Sequence, residues 1–216
     1  MPALIFDLDG TLTDSKPGIV GCLRKVLETR GIHHAGPLER FVGPPVEEWV
    51  ADLLPHGSED ERVALAGDYR ACYDREGWRN NSVFPGVGEM LAELKAAGFT
   101  LYVCTSKQER FAVRILEAFG LSPLFEAVYG DRAEYASHSK VDLLARVLDE
   151  RSLGAESAWM IGDRSFDIEA AHANRLRCLA AGWGYGSREE YAQADAVAAT
   201  PADVPAMVAI PLTAAD

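Results

Sequence analysis

The sequence predicts an α/β fold, a Rossmann-like parallel sheet core with an inserted helical cap domain. Three observations predict it. The apolar run Ala3-Leu4-Ile5-Phe6 ends in two carboxylates and a glycine, Asp7-Leu8-Asp9-Gly10. From Val83 onward, short apolar runs alternate with helical patterns, as in a parallel sheet covered on both faces. Between these regions, Ser15 to Ser82 reads as helices with no convincing strand. The first strand belongs with the later ones, so the core is expected over residues 1–14 and 83–216 and the cap over 15–82, above the carboxyl ends of the strands.

Along the chain, Ile19, Val20, Leu23, Val26 and Leu27 share one helical face, closed by Gly31. Phe41-Val42-Gly43-Pro44-Pro45 is a rigid turn, and Val46 to Leu54 and Glu59 to Tyr73 are helices. Val87 to Ala97 is an amphipathic helix ended by Gly98, followed by a strong strand over Phe99 to Cys104. Helix and strand then alternate through Phe111 to Phe119, Ala127 to Tyr129, Val141 to Leu148, Ala158 to Ile161, Ile168 to Ala173 and Cys178 to Ala180.

Bulk properties narrow the function. At 216 residues, 48% hydrophobic and 25% charged, the chain has the composition of a globular protein rather than a disordered one. Its net charge of -12 argues against nucleic acid or an anionic membrane as partner. A phosphate substrate then has to be met by local positive charge. The four cysteines, Cys22, Cys72, Cys104 and Cys178, form no C-x-x-C pair and read as inert thiols in a reducing compartment. The amino-terminal residues lack the pattern of a secretory signal, and Pro201, Pro205 and Pro211 interrupt the late apolar stretch. A cytoplasmic location without a membrane span is the expectation.

The chemistry gathers at strand ends. Asp7 and Asp9, two apart on an extended chain, point the same way, and Gly10 lets the backbone turn behind them. Two crowded carboxylates call for a cation between them. An Asp7 ionised at neutral pH without a helping base is a ready nucleophile for phosphorus, and Asp9 is placed to serve as acid and then as base. A solvated turn or a calcium loop also accounts for such a pair. Thr105-Ser106-Lys107 is expected at a helix entrance, where hydroxyls and N–H groups bind phosphate, although an ordinary cap accounts for it as well. Lys140 opens a helix against the dipole preference, which makes sense if it faces Asp7 and phosphate; a surface lysine is the alternative. Asp163 follows Ile161-Gly162 and can complete an all-oxygen site with Asp7 and the Asp9 carbonyl, a set that favours Mg2+. Asp167 is a helix cap, an anchor behind that site or a ligand through water.

Together these strand ends resemble the haloacid dehalogenase superfamily of phosphatases, most closely its phosphoglycolate phosphatase branch. The matching segments are Asp7-Leu8-Asp9-Gly10-Thr11-Leu12, Thr105, Lys140 and Gly162-Asp163-Arg164-Ser165-Phe166-Asp167, in the family's order. The stretch Gly162 to Ser187 also resembles bacterial 5′-nucleotidases, and Val141-Asp142 stands where phosphoglycolate phosphatases often carry prolines. The resemblance implies that Asp7 is the nucleophile and Asp9 the acid/base, and that Thr105 and Lys140 hold the phosphoryl group. It places Mg2+ on Asp7, Asp9, Asp163 and Asp167, and a closing helical cap over the site. Gly10, Thr105, Ser106, Arg40 and Gly43 are the candidate substrate-binding positions. The expected activity is magnesium-dependent hydrolysis of a small phosphate ester by a monomer or homodimer, with a 5′-nucleotidase or a phosphomutase as alternatives. An intact Asp9 and Asp163 argue against a dehalogenase, and the long insertion argues against a signalling receiver domain.

Overall fold

The computed structural model describes residues 2–44, 46–132 and 139–209. In chain order the elements are β1 (Ala3–Phe6), β2 (Thr13–Asp14), α1 (Lys16–Arg30), α2 (Val46–Leu53), α3 (Glu59–Arg75), β3 (Ser82–Val83), α4 (Val87–Ala96), β4 (Thr100–Gln108) and α5 (Glu109–Ala118). They continue as β5 (Ala127–Asp131), α6 (Lys140–Glu150), β6 (Ala158–Gly162), α7 (Ser165–Ala173), β7 (Arg177–Ala181), α8 (Arg188–Tyr191), β8 (Ala196–Ala198) and α9 (Val204–Val208). The chain divides into two compact units, Met1–Thr13 with Val83–Asp216, and Asp14–Ser82.

The first unit is built on a six-stranded parallel sheet in the order β5-β4-β1-β6-β7-β8. β1 lies where the strand order reverses, with Phe6 level with Val103 of β4 on one side and Ile161 of β6 on the other. Ligands bind at such a switch point, outside the carboxyl ends of the strands. Side chains alternate across the sheet. Ala3 and Ile5 join Tyr102, Cys104, Met160 and Cys178 in one core with Leu144 and Val147 of α6 and Ile168 and Ala171 of α7. Leu4 and Phe6 point the opposite way and are equally buried, Phe6 meeting Phe125 edge-on with ring centroids 6.2 Å apart. Burial on both faces explains why these strands read as unbroken apolar runs.

The second unit holds α1, α2 and α3. A column of rings runs through it: Phe41 to Trp49 at 5.9 Å, Trp49 to Tyr69 edge-on at 4.9 Å, and Tyr69 to Tyr73 at 5.9 Å. Gly31 ends α1 in the left-handed conformation at φ 64°, and Ser58 opens α3 with a reciprocal cap to Glu61.

Several elements differ from the sequence reading. β4 runs on to Gln108, so Thr105, Ser106 and Lys107 lie in a strand with an irregular ladder to β5 rather than at a helix entrance. The extension is held by Gln108 opposite Asp131 and by the Gly130 N–H, which donates to Glu109 at 3.3 Å. β8 is only three residues long and gives no periodic signal of its own. Pro45, Pro211 and His138 fall outside the described residues. Among those described, no helix is long and apolar enough to cross a membrane.

Leu101 on β4 is fully buried between two layers. Leu101→Ala should cost about 2–5 kcal/mol of unfolding free energy, read from the denaturant midpoint with the slope unchanged.

Candidate active site

Asp7 is the first residue past β1, and its N–H donates to the Ile161 carbonyl of β6 at 2.9 Å. The chain then turns through Gly10 at φ 96°, where a side chain would place its Cβ 2.2 Å from an Asp163 carboxylate oxygen. Only a glycine admits that approach. Asp7, Asp9, Thr105, Asp163 and Asp167 are all buried, and oxygens of Asp7, Asp163 and Asp167 lie within 4.8 Å of one another.

Two lysines enter this acidic cluster. Lys140, the first residue of α6, places its Nζ 2.6 Å from Asp7 Oδ1 and 2.5 Å from Asp167 Oδ1. Burial disfavours its charge, but Asp167 and Asp7 more than offset that and raise its pKa. Lys107 Nζ lies 2.8 Å from Asp9 Oδ2, and both side chains are buried. The other Asp9 oxygen, Oδ1, is buried without a hydrogen-bond partner. Thr105 Oγ1 accepts from the Lys107 N–H at 3.3 Å. Cys104, just before Thr105, is near enough to feel Lys140, Asp7 and Asp167, and burial pushes its thiol up to about 12.

Asp163 is gripped from both sides. Its Oδ1 accepts from the Thr11 hydroxyl at 3.1 Å and its Oδ2 from the Tyr185 N–H at 2.8 Å. The glycine-rich run after β7 makes this possible. A Cβ on Gly184 would lie 2.3 Å from the Asp163 Cβ and 2.5 Å from the Gly10 carbonyl oxygen, so the loop packs backbone against carboxylate. Trp183 Nε1 ties the same loop to the Thr11 carbonyl at 2.9 Å. Asp167, third residue of α7, accepts the Arg164 N–H at 3.0 Å through Oδ2 while its Oδ1 meets Lys140. It therefore caps the helix and anchors the lysine, combining two readings the sequence left open.

Of the positions singled out from sequence, Asp7, Asp9, Gly10, Lys140, Asp163 and Asp167 lie just past β1 and β6 and in the first turns of α6 and α7, and Thr105 lies within β4. Ser106 is half-buried beside Thr105. Arg40 and Gly43 belong to the helical unit, where the Arg40 guanidinium pairs with Asp52 and lies 4.7 Å from the Phe41 ring centroid. Sequence reasoning missed the roles of Lys107 and of residues 183–185. The lysine directly after Thr105-Ser106 and the glycines at alternate positions beyond a strand were the available signals.

The charges do not cancel. Among the described residues, Asp7, Asp9, Asp163 and Asp167 face Lys107 and Lys140, so the carboxylates outnumber the lysines by two. Burial pushes the Asp7 carboxyl up to about 7, with Lys140 pulling it down and Asp167 and Asp9 pushing it back up. Asp163 is raised well above the carboxylate range, by burial first and then by Asp167 and Asp7. In the absence of a bound cation, burial thus works against ionisation of Asp7, and a further positive charge nearby would favour it. A clustered, all-oxygen donor set short of two positive charges fits a divalent hard cation.

A family model for haloacid dehalogenase-like hydrolases matches residues 4–181. Over 185 residues the chain is 41% identical to the tyrosine-protein kinase PtkA of Mycobacterium tuberculosis, covering 85% of this chain and 62% of that protein. It is 37% identical over 192 residues to a 5′-nucleotidase of Pseudomonas aeruginosa, covering 88% of this chain and 86% of the relative. Identity to a phosphoglycolate phosphatase of Rhodospirillum rubrum is 33% over 207 residues, covering 91% and 85%. A crystal structure described as a predicted phosphatase from Clostridium acetobutylicum superposes with a TM-score of 0.89 at 30% identity, covering 96% of this chain and 97% of the other.

The raised Asp7 pKa fixes the sign of a pH effect. Folded, metal-free protein keeps this proton up to about pH 7, whereas the unfolded chain loses it near 3.8, so Asp7 contributes stability that is lost as pH rises across that window. In chelator-treated protein, the change in Tm between about pH 5 and about pH 8 should therefore carry a destabilising part that Asp7→Asn removes. Equal pH profiles for the two proteins would contradict the assignment.

Proposed function

We propose that this chain, which belongs to the haloacid dehalogenase-like hydrolases, is a phosphatase that hydrolyses small phosphate monoesters through an aspartyl phosphate on Asp7, with Mg2+ as cofactor. The observation that carries this reading is the contact of Lys140 with both Asp7 and Asp167 in a buried site where, among the described residues, carboxylates outnumber lysines. Lys140 fixes one Asp7 oxygen and presents a cation to an arriving phosphoryl group. The Thr105 hydroxyl, buried within β4, donates to a phosphoryl oxygen.

Asp7 attacks phosphorus, and the ester oxygen leaves with a proton from Asp9. Water then attacks the acyl phosphate, and Asp9 takes the proton back. The partnerless Oδ1 of Asp9 is the oxygen assigned to this transfer, since Lys107 holds the other. Asp7, Asp163 and the Asp9 carbonyl would hold magnesium, with Asp167 behind, and the bound ion would supply the charge that offsets the anionic phosphate beside Asp7. Arg40 and Gly43 of the helical unit are the proposed selectors of substrate.

Phosphoglycolate and similar short anionic esters are the first substrate class proposed. Nucleoside 5′-monophosphates are the second, favoured by the identity to the Pseudomonas nucleotidase and by Val141-Asp142 after Lys140. Ranking both classes and hexose phosphates by kcat/KM decides between them.

Asp7→Asn should lower turnover by about 10³-fold or more with the circular dichroism spectrum unchanged. Asp9→Asn should still form phosphoenzyme from an activated aryl phosphate while slowing unactivated esters by about 10²–10⁴-fold; equal rates on both substrates would remove Asp9 from proton transfer. Chelation should silence the enzyme and added magnesium should restore it, whereas full activity in excess chelator would exclude the cofactor.

A further inference from the structure

The helical unit brings together two cysteines that the proposed hydrolysis does not use. Cys22 on α1 and Cys72 on α3 are both buried, and their sulfurs lie 2.7 Å apart. That separation falls between the bonded distance of about 2.05 Å in a disulfide and an ordinary sulfur contact. The backbone around Cys22 is closely packed. A Cβ on Gly18 would lie 2.1 Å from the Gly77 carbonyl oxygen, and one on Gly77 would lie 2.8 Å from Cys22 Sγ, so α1 and the turn after α3 meet with no side chain between them. Both cysteines line a recess of about 240 Å³ together with Gly21, Lys25, Glu76 and Asn80.

We infer that Cys22 and Cys72 form a dithiol that closes to an intramolecular disulfide when the protein meets a peroxide. One sulfur attacks the peroxide O–O bond, giving a sulfenic acid and water; the second sulfur displaces the sulfenic oxygen, which leaves as water. Two thiols and one hydrogen peroxide thus give one disulfide and two waters, the thiols being oxidised and the peroxide reduced. A peroxide suits the site better than a small-molecule disulfide, because exchange requires a third sulfur to approach a buried pair through a mixed disulfide. Burial pushes the Cys22 thiol up to about 12 and raises the Cys72 thiol as well, so little thiolate is present and the first attack on peroxide is slow.

A metal site is the competing use of this cluster, since the Glu76 carboxylate lies within 4.8 Å of both sulfurs. The geometry disfavours it. Two thiolates bound to a tetrahedral zinc at about 2.3 Å stand about 3.8 Å from each other, and the Glu76 carboxylate is already taken by Lys25 at 2.6 Å and Arg75 at 3.3 Å. Cys104 and Cys178, buried in the sheet core, serve as controls within the same chain.

The test treats reduced, metal-free full-length protein with hydrogen peroxide, denatures it, alkylates free thiols and reads the digest by mass spectrometry. The expected result is a Cys22–Cys72 cross-linked peptide pair lighter by two hydrogens, reversed by a dithiol reductant, with Cys104 and Cys178 alkylated. Cys22→Ser and Cys72→Ser should each abolish the cross-link and leave the turnover of reduced protein unchanged. The wild-type measurement stands whether or not the variants fold. Alkylated Cys22 and Cys72 after peroxide, an over-oxidised single cysteine without the cross-link, or stoichiometric zinc retained by the thiols would overturn the inference.

Discussion

A surplus of buried negative charge at the ends of β1 and β6 is the constraint on which the rest of the core depends. Carboxylates removed from water are costly unless paired, and a lone buried charge is more costly still. Lys140 meets part of the demand by bridging Asp7 and Asp167, and Lys107 meets another part at Asp9. What is left is expressed in the raised pKa values of Asp7 and Asp163. A site in that condition attracts protons, a divalent cation, or both. Of the two, a cation would favour the ionised form of Asp7 that the proposed chemistry uses.

Mutual repulsion would spread these carboxylates apart if the surrounding chain allowed it. Asp163 cannot retreat, because Thr11 and the Tyr185 N–H each hold one of its oxygens and Gly184 brings the backbone up against it. Trp183 locks that loop to the segment following Asp9. Neutral donors do not cancel the charge, but they fix its position. The site is therefore preorganised by hydrogen bonds from residues that carry no charge themselves, while its chemistry comes from those that do.

The legible parts of the sequence were those with a local signature. Asp7 to Gly10 follows an apolar run, and Gly162-Asp163 repeats the pattern, so strand ends and inward-facing carboxylates could be read from spacing alone. Lys140 was legible because a lysine at a helix start runs against the dipole. The partner of Lys107 was not legible, since Asp9 lies far away in sequence and meets it only once β1 and β4 are paired. The course of residues 105–108 was hidden for the same reason: strand pairing with β5 outweighs the helix-capping preference of Thr and Ser. The glycine run at 182–186 reads as a turn in isolation, and its tight contacts with Asp163 and Gly10 emerge only when β6 and β7 are side by side.

The chemistry proposed for the core does not by itself choose a substrate. Asp7, Lys140 and Thr105 address a phosphoryl group, which all phosphate monoesters share, and an acyl phosphate on Asp7 keeps no memory of the alcohol that left. Discrimination must then arise from groups that touch the rest of the ester. Arg40 of the helical unit, the proposed selector, is already engaged by Asp52 and by the face of Phe41. An anionic substrate that recruits this guanidinium has to displace the Asp52 carboxylate. Because that pair is partly solvent-exposed, the displacement costs little, on the order of 1 kcal/mol or less. Under the proposed function, selectivity resting on Arg40 alone would accordingly be shallow, because a partly exposed ion pair to an anionic substrate is worth as little as the one it replaces.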